Sequence, residues 1–173
     1  MPETPESLLA RLDALGIVHR TVTHPPVFTV EESKALRPEL PGGHSKNLFL
    51  KPQKAPGPFI LIVLQEDRRV SVNALARALG APRVAFGPAE DLMAQLGVQP
   101  GSVTPFGLVN AAPGAVRPVF DRHLMQAHDW VNFHPLTNAM TTAIRPDDLL
   151  RFLRALGHLP ELMDPPEAPP ASG

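Results

Sequence analysis

The chain has 173 residues, the length of one domain, and is large enough to bury a core. Its 43% apolar and 19% charged composition is that of a soluble globular protein, and a net charge of −1 argues against a protein that coats a polyanion. It has no cysteine, which excludes a disulfide scaffold, a thiolate nucleophile and any Cys-ligated zinc or iron–sulfur site.

The opening MPETPESLLARL is acidic and lacks a signal peptide's basic start, so a cytoplasmic protein is expected. Thr4 as cap, Pro5 in the first turn and Leu8, Leu9, Leu12 and Leu15 at helical spacing predict a helix that Gly16 ends. Val18–Thr23 reads as a strand broken by His24-Pro-Pro26, and Thr29-Val-Glu-Glu32 is a capping-box pattern opening a short helix to about Leu36. A Pro/Gly-rich loop, 37–44, leads to two strands, Asn47–Lys51 and Phe59–Gln65. The second is apolar almost throughout, as a strand covered on both faces would be. No apolar run approaches the roughly 18 residues that a membrane helix needs.

Ser71 caps a helix through Leu79. A short strand at Arg83–Phe86 and a helix from Pro88 to Gly97 follow. The turn-rich Gly101-Ser-Val-Thr-Pro105 is expected to feed a strand, Phe106–Asn110. Further strands are expected at Val116–Phe120, Trp130–Phe133 and Met140–Ile144, and a final amphipathic helix from Asp147 or Asp148 to Gly157. The expected fold is a single α+β domain, 1–162, with a mixed, mostly antiparallel central sheet flanked by helices. Residues 163–173, rich in Pro and Ala, are expected to be a disordered tail.

Four segments place polar groups in apolar or turn-forming surroundings. Lys46, one of only four lysines, and Asn47 emerge from a glycine-rich loop into a strand. Gly101–Pro105 has the composition of a loop whose main-chain N–H groups can hold an anion or a carbonyl oxygen, although a plain helix-to-strand connection has the same composition. Asn132 and His134 flank an inward Phe133, a setting in which a lone His beside Pro is more often a structural hydrogen-bonder, and His24 sits beside two prolines, where it also reads as a turn residue. The seven histidines include no HExxH pair, and no phosphate-binding, dinucleotide or GxSxG motif is present, so neither metal nor cofactor is expected.

THPPVFTVEE (23–32), SKNLFLK (45–51), LGVQPGSVTPFGLVN (96–110) and FHPLTNAMTTAI (133–144), in this order, resemble the YbaK/prolyl-tRNA-synthetase-associated editing domain family, most closely its free-standing alanyl-tRNA(Pro) deacylase branch. The resemblance covers roughly residues 5 to 157. It implies a trans-editing hydrolase that removes mischarged alanine from tRNA(Pro). Alternatives are the same fold acting on cysteinyl- or Ser/Thr-charged tRNA, or a non-catalytic tRNA- or synthetase-binding module. Carried over residue by residue, it points to Lys46, Asn47, Gly101 and His134 as catalytic. Lys46 would hold the terminal phosphate or the ester carbonyl. Ser102, Val103, Thr104, Pro105 and His24 would bind substrate, between apolar walls chosen for flanking these motifs: Val27, Phe28, Leu48 and Phe106. The implied partners are the acceptor end of mischarged tRNA(Pro) and, secondarily, prolyl-tRNA synthetase, with neither membrane nor DNA. Lys51, Lys54, Arg68 and Arg69 are candidate phosphate contacts, each also readable as a solvated surface charge.

Overall fold

A computed structural model describes residues 2–26, 31–32 and 40–168. Helix α1 (Pro5–Ala14) opens with a reciprocal cap: the Ser7 N–H donates to the Thr4 hydroxyl at 3.1 Å and the Thr4 N–H to the Ser7 hydroxyl at 2.8 Å. It buries Leu8 and Leu12 completely and stops at Gly16, whose φ of 69° suits glycine. Strand β1 (His19–Thr23) follows. Most of the capping-box segment expected at 29–36 lies outside the described residues.

Strand β2 (Gly43–Pro52) is four residues longer at its start than expected, and β3 (Phe59–Gln65) has the expected bounds. Then come α2 (Val72–Ala78), capped by Ser71, strand β4 (Val84–Phe86) and α3 (Ala89–Leu96), ended by Gly97. Phe106–Asn110, expected as a strand, belongs to a 3-10 helix, Pro105–Asn110. Pro105 has no N–H for a ladder, and the Thr104 hydroxyl accepts the Phe106 N–H at 3.2 Å, which closes a turn instead. A short apolar run cannot distinguish the two conformations by itself.

Strand β5 (Val116–Asp121) leads directly into a short helix absent from the expectations, α4 (Arg122–Gln126), capped by Asp121. Strands β6 (Val131–Phe133) and β7 (Met140–Ile144), helix α5 (Pro146–Ala155) and strand β8 (Glu161–Met163) complete the order. Residues 163–168, expected to have nothing to pack against, are held. β8 pairs with β5, Glu167 bridges to Val70, and the Ala168 N–H donates to the Arg69 carbonyl at 2.8 Å. Main-chain pairing of this kind leaves no mark on composition.

The eight strands run β1-β7-β6-β2-β3-β5-β8, with β4 on β2. Pairs β1/β7, β6/β7, β2/β3 and β2/β4 are antiparallel; β2/β6, β3/β5 and β5/β8 are parallel. This is the expected α+β domain on a mixed sheet. Strand β3 is covered on both faces. Leu61 and Val63 join the larger core with α1, α3, the 3-10 helix and α5, while Ile60, Ile62 and Leu64 pack on Leu75 and Ala76 of α2. No helix of the described residues is long and apolar enough to cross a membrane.

Asp121 ties this framework together. Its fully buried carboxylate accepts the Gln65 N–H at 2.9 Å, Arg68 Nε at 2.9 Å and Nη2 at 3.1 Å, and the His123 N–H at 3.0 Å. Burial alone would push this carboxyl up, but the Arg68 guanidinium and the Gln65 amide outweigh it and hold it below the usual carboxylate range. Asp121→Ala should cost about 3 kcal/mol in urea unfolding, because Arg68 and two amides lose their acceptor. A depressed carboxyl stabilises the fold above its unfolded pKa and loses that contribution as pH falls, so the gap between wild type and variant should narrow in acid.

Candidate functional site

Even-numbered residues of β2 direct their main chain at β3, as the Glu66 N–H to His44 carbonyl bond of 3.1 Å shows. Odd-numbered residues direct theirs at the opposite edge. There Gly43 N–H meets the Trp130 carbonyl at 2.8 Å, and the Phe49 carbonyl accepts Gly87 N–H at 2.9 Å. That edge pairs with β6 only at Gly43 and His44, and with β4 only from Leu50 to Pro52. Between them is a notch. The Ser45 carbonyl and the main-chain groups of Asn47 face it without a strand partner among the described residues, the Ser45 N–H being taken up by the ladder to β6.

Side chains alternate about the notch. His44 lies in register with Asn132, so Lys46, two residues on, shares the sheet face of Asn132 and His134. His24 reaches that face from the end of β1 and is 9% exposed. Its Nδ1 lies 2.8 Å from the Pro25 carbonyl and its Nε2 2.8 Å from the Thr141 hydroxyl, so a neutral ring donates from Nδ1 and accepts at Nε2. His134 stands with its ring centroid 6.3 Å from that of His24. Its Nδ1 donates to the Met140 carbonyl at 2.9 Å, which leaves Nε2 as an acceptor in the neutral ring. Two residues on, Leu136 has a φ of 68°, a left-handed conformation uncommon for a branched side chain; its N–H closes on the His134 carbonyl at 3.0 Å.

The opposite face brings in the Gly101–Pro105 loop. Asn47 Nδ2 donates to the Val103 carbonyl at 3.0 Å, and the Ser45 hydroxyl donates to Asn47 Oδ1 at 3.2 Å. Gly101 turns the chain at a φ of 92°. Ser102 N–H donates to the Gln99 carbonyl at 3.0 Å, while the N–H groups of Gly101, Val103 and Thr104 have no acceptor among the described residues. Phe106 meets Phe133 edge to face, centroids 6.1 Å apart, which locks the loop to the strand that carries His134.

Of the expected site residues, the structure therefore gathers Asn47 with the 101–105 loop, and His24 with His134. Lys46 shares the face of the histidines, not that of the loop, and its ammonium donates to the Arg68 carbonyl. Phe106 and Thr104 are fully buried and Pro105 is buried with them, so they are framework, not cavity wall. Leu48 packs on the α2 side of the sheet. Val27 and Phe28 lie outside the described residues. Among the candidate phosphate contacts, Lys51 pairs with Asp91 at 2.7 Å and Arg68 with Asp121, whereas Lys54 and Arg69 are exposed. Thr141, which holds His24, was legible only as part of a strand.

The family model described as aminoacyl-tRNA editing domain matches residues 24–152, a span that runs from His24 through every element of the notch. The chain belongs to the aminoacyl-tRNA editing domain family. It is 39% identical over 161 residues to prolyl-tRNA synthetase associated domain-containing protein 1 of Bos taurus, covering 91% of this chain and 93% of the relative. It is 30% identical over 153 residues to the prolyl-tRNA editing protein ProX of Acetoanaerobium sticklandii, covering 88% and 92%. The crystal structure of a candidate trans-editing enzyme for prolyl tRNA synthetase superposes with a TM-score of 0.70 at 18% identity, covering 97% of this chain and all of that one, a likeness of fold. Deacylation of aminoacyl-tRNA is the activity this family implies in general.

Burial holds the His134 imidazole below its ordinary pKa; the Met140 carbonyl opposes that shift, and the neighbouring His24 adds to it. The neutral ring therefore stabilises the fold at pH above the free-imidazole value of about 6.5, and the contribution is lost as pH falls through the lower folded value. An NMR titration of the ring protons should place His134 below a free imidazole. A midpoint above it would refute the burial and the tautomer together.

Proposed function

We propose that this chain is a trans-editing deacylase that hydrolyses the ester of mischarged tRNA(Pro), with alanine as the amino acid removed. The observation that carries the proposal is the interrupted edge of β2, flanked by Asn47 with the 101–105 loop on one side and by Lys46 and His134 on the other. A small aminoacyl group would enter this notch to meet the unpaired Asn47 N–H.

An aminoacyl ester is already activated, so a positioned water and a stabilised oxyanion suffice for its hydrolysis. Water adds to the ester carbonyl, the tetrahedral oxyanion rests on the Asn47 N–H at the notch or on the Gly101 and Val103 N–H groups of the loop, and the ribose hydroxyl leaves with a proton. Neutral His134 offers Nε2 to orient that water or the ribose hydroxyl. Lys46 leaves the Arg68 carbonyl to meet the terminal phosphate or the ester carbonyl, a movement its long unbranched side chain allows. Alanine is the reasonable substrate because a proline-sized synthetase pocket rejects a smaller side chain by only about 1–3 kcal/mol per methylene, so a second, smaller site is needed. The relatives named for prolyl-tRNA support the tRNA choice.

A panel of tRNA(Pro) charged with alanine, cysteine, serine, threonine or proline tests the substrate. Alanine should be released fastest and proline spared; faster release of cysteine would overturn the choice. Lys46→Ala should lower kcat about 10²–10³-fold, the scale of a lost transition-state contact, with an unchanged circular dichroism spectrum. The resting contact of Lys46 with a carbonyl also suits a non-catalytic tRNA- or synthetase-binding module, and failure to release any of the five amino acids would establish that reading instead.

A further inference from the structure

One aromatic site on the same sheet face has no part in the chemistry above. Trp130, the single tryptophan in a chain without tyrosine, precedes β6 and is half-buried. Extending the β6/β7 register by one residue sets Arg145 opposite it, and the Arg145 guanidinium carbon lies 5.1 Å from the ring centroid. Arg20 of β1 reaches the same ring at 4.3 Å. Both arginines are exposed, and neither has a carboxylate partner among the described residues. Arg11, Lys51, Arg68, Arg117, Arg122 and Arg151 each hold one. Two free guanidiniums fixed against one indole make a stacking plane with positive charge on it.

Its position is specific. Trp130, Asn132 and His134 occupy alternate positions of one extended run, and Val131 and Phe133 between them point into the core. At about 3.3 Å per residue, Trp130 lies about 13 Å from His134 on a common face. A cleft of about 780 Å³ adjoins it, lined by Met125, His128, Trp130 and Arg145 among others. Asp129 and Asp147 also line that cleft, as does Asp148, which Arg151 neutralises in part at 3.5 Å. Carboxylates there disfavour a bare polyanion, so stacking has to supply what charge does not.

We infer that Arg20, Trp130 and Arg145 form a docking platform for single-stranded RNA, with a nucleobase stacked on the indole–guanidinium plane and adjacent phosphates on the two arginines. The inference rests on the proposed function for its partner, the unpaired 3′ strand of a charged tRNA, whose ester would then reach the notch along β6. Stacking on aromatic or guanidinium planes is how proteins grip unpaired RNA.

The lone tryptophan is its own reporter. A short single-stranded RNA ending in CCA-3′ should quench the fluorescence of the full chain saturably. Arg20→Gln with Arg145→Gln should weaken that binding and flatten the slope of log K against log salt by about 1.4, two contacts at about 0.7 each. With charged tRNA, Trp130→Ala should raise KM about ten-fold at nearly constant kcat, Trp130→Phe should fall between, and hydrolysis of a small aminoacyl ester lacking RNA should not change. Equal quenching by heparin, or an unchanged KM in the exposed double-arginine variant, would overturn the platform while leaving the deacylase intact. RNA-dependent quenching in a chain that releases no amino acid would do the reverse.

Discussion

Strand β2 gives one edge whole to β3 and divides the other between two partners of opposite direction, β6 and β4. A strand cannot be hydrogen-bonded to nothing at low cost in a protein interior, so an interruption of this kind must open onto water, a ligand or a loop. The interruption runs from the Ser45 carbonyl to Asn47, and Asn47 answers it in part by binding the Val103 carbonyl through its side chain. The lysine, the asparagine, the glycine–proline bend and the histidines are all arranged about this gap. The parity of the strand decides which of them meet directly.

Rigidity around the gap comes from groups with no chemical part. Asn132 donates to the Pro41 and Gly43 carbonyls at 3.1 and 3.2 Å, pinning the chain just before β2 to the outer face of β6. Phe106 and Phe133 fasten the loop to β6 from the core side. The buried Asp121 and Arg68 pair secures the turn whose carbonyl receives Lys46. A site that works by positioning alone, with no strong nucleophile, depends on such supports more than on the reactivity of any one residue.

Much of the secondary structure was legible because its signals are local. Thr4 and Ser71 are caps, Gly16 and Gly97 are stops, and the apolar run of β3 is long enough to exclude most alternatives. Where the signal is shared between conformations, the expectation fails. Phe106–Asn110 is apolar as either a strand or a buried 3-10 helix, and the Thr104 hydroxyl with the missing N–H of Pro105 makes the choice. Residues 163–168 carry a tail-like composition, yet Met163 pairs with Asp121, Glu167 bridges to Val70 and the Ala168 N–H donates to the Arg69 carbonyl.

For the site, residue types and local order were in the chain itself: the SKN turn-to-strand step, the glycine–proline loop and the FHP histidine. Their resemblance to an editing family agrees with the match over 24–152. The tertiary structure alone decided that the 101–105 loop lies on the face of Asn47 and not on that of Lys46, that Arg68 belongs to Asp121, and that Arg20 and Arg145 converge on Trp130. Caps, turns and periodicity act within a few residues, so a sequence states them. Which strand lies beside which, and so which side chains share a face, is fixed by long-range packing that no short window of residues contains.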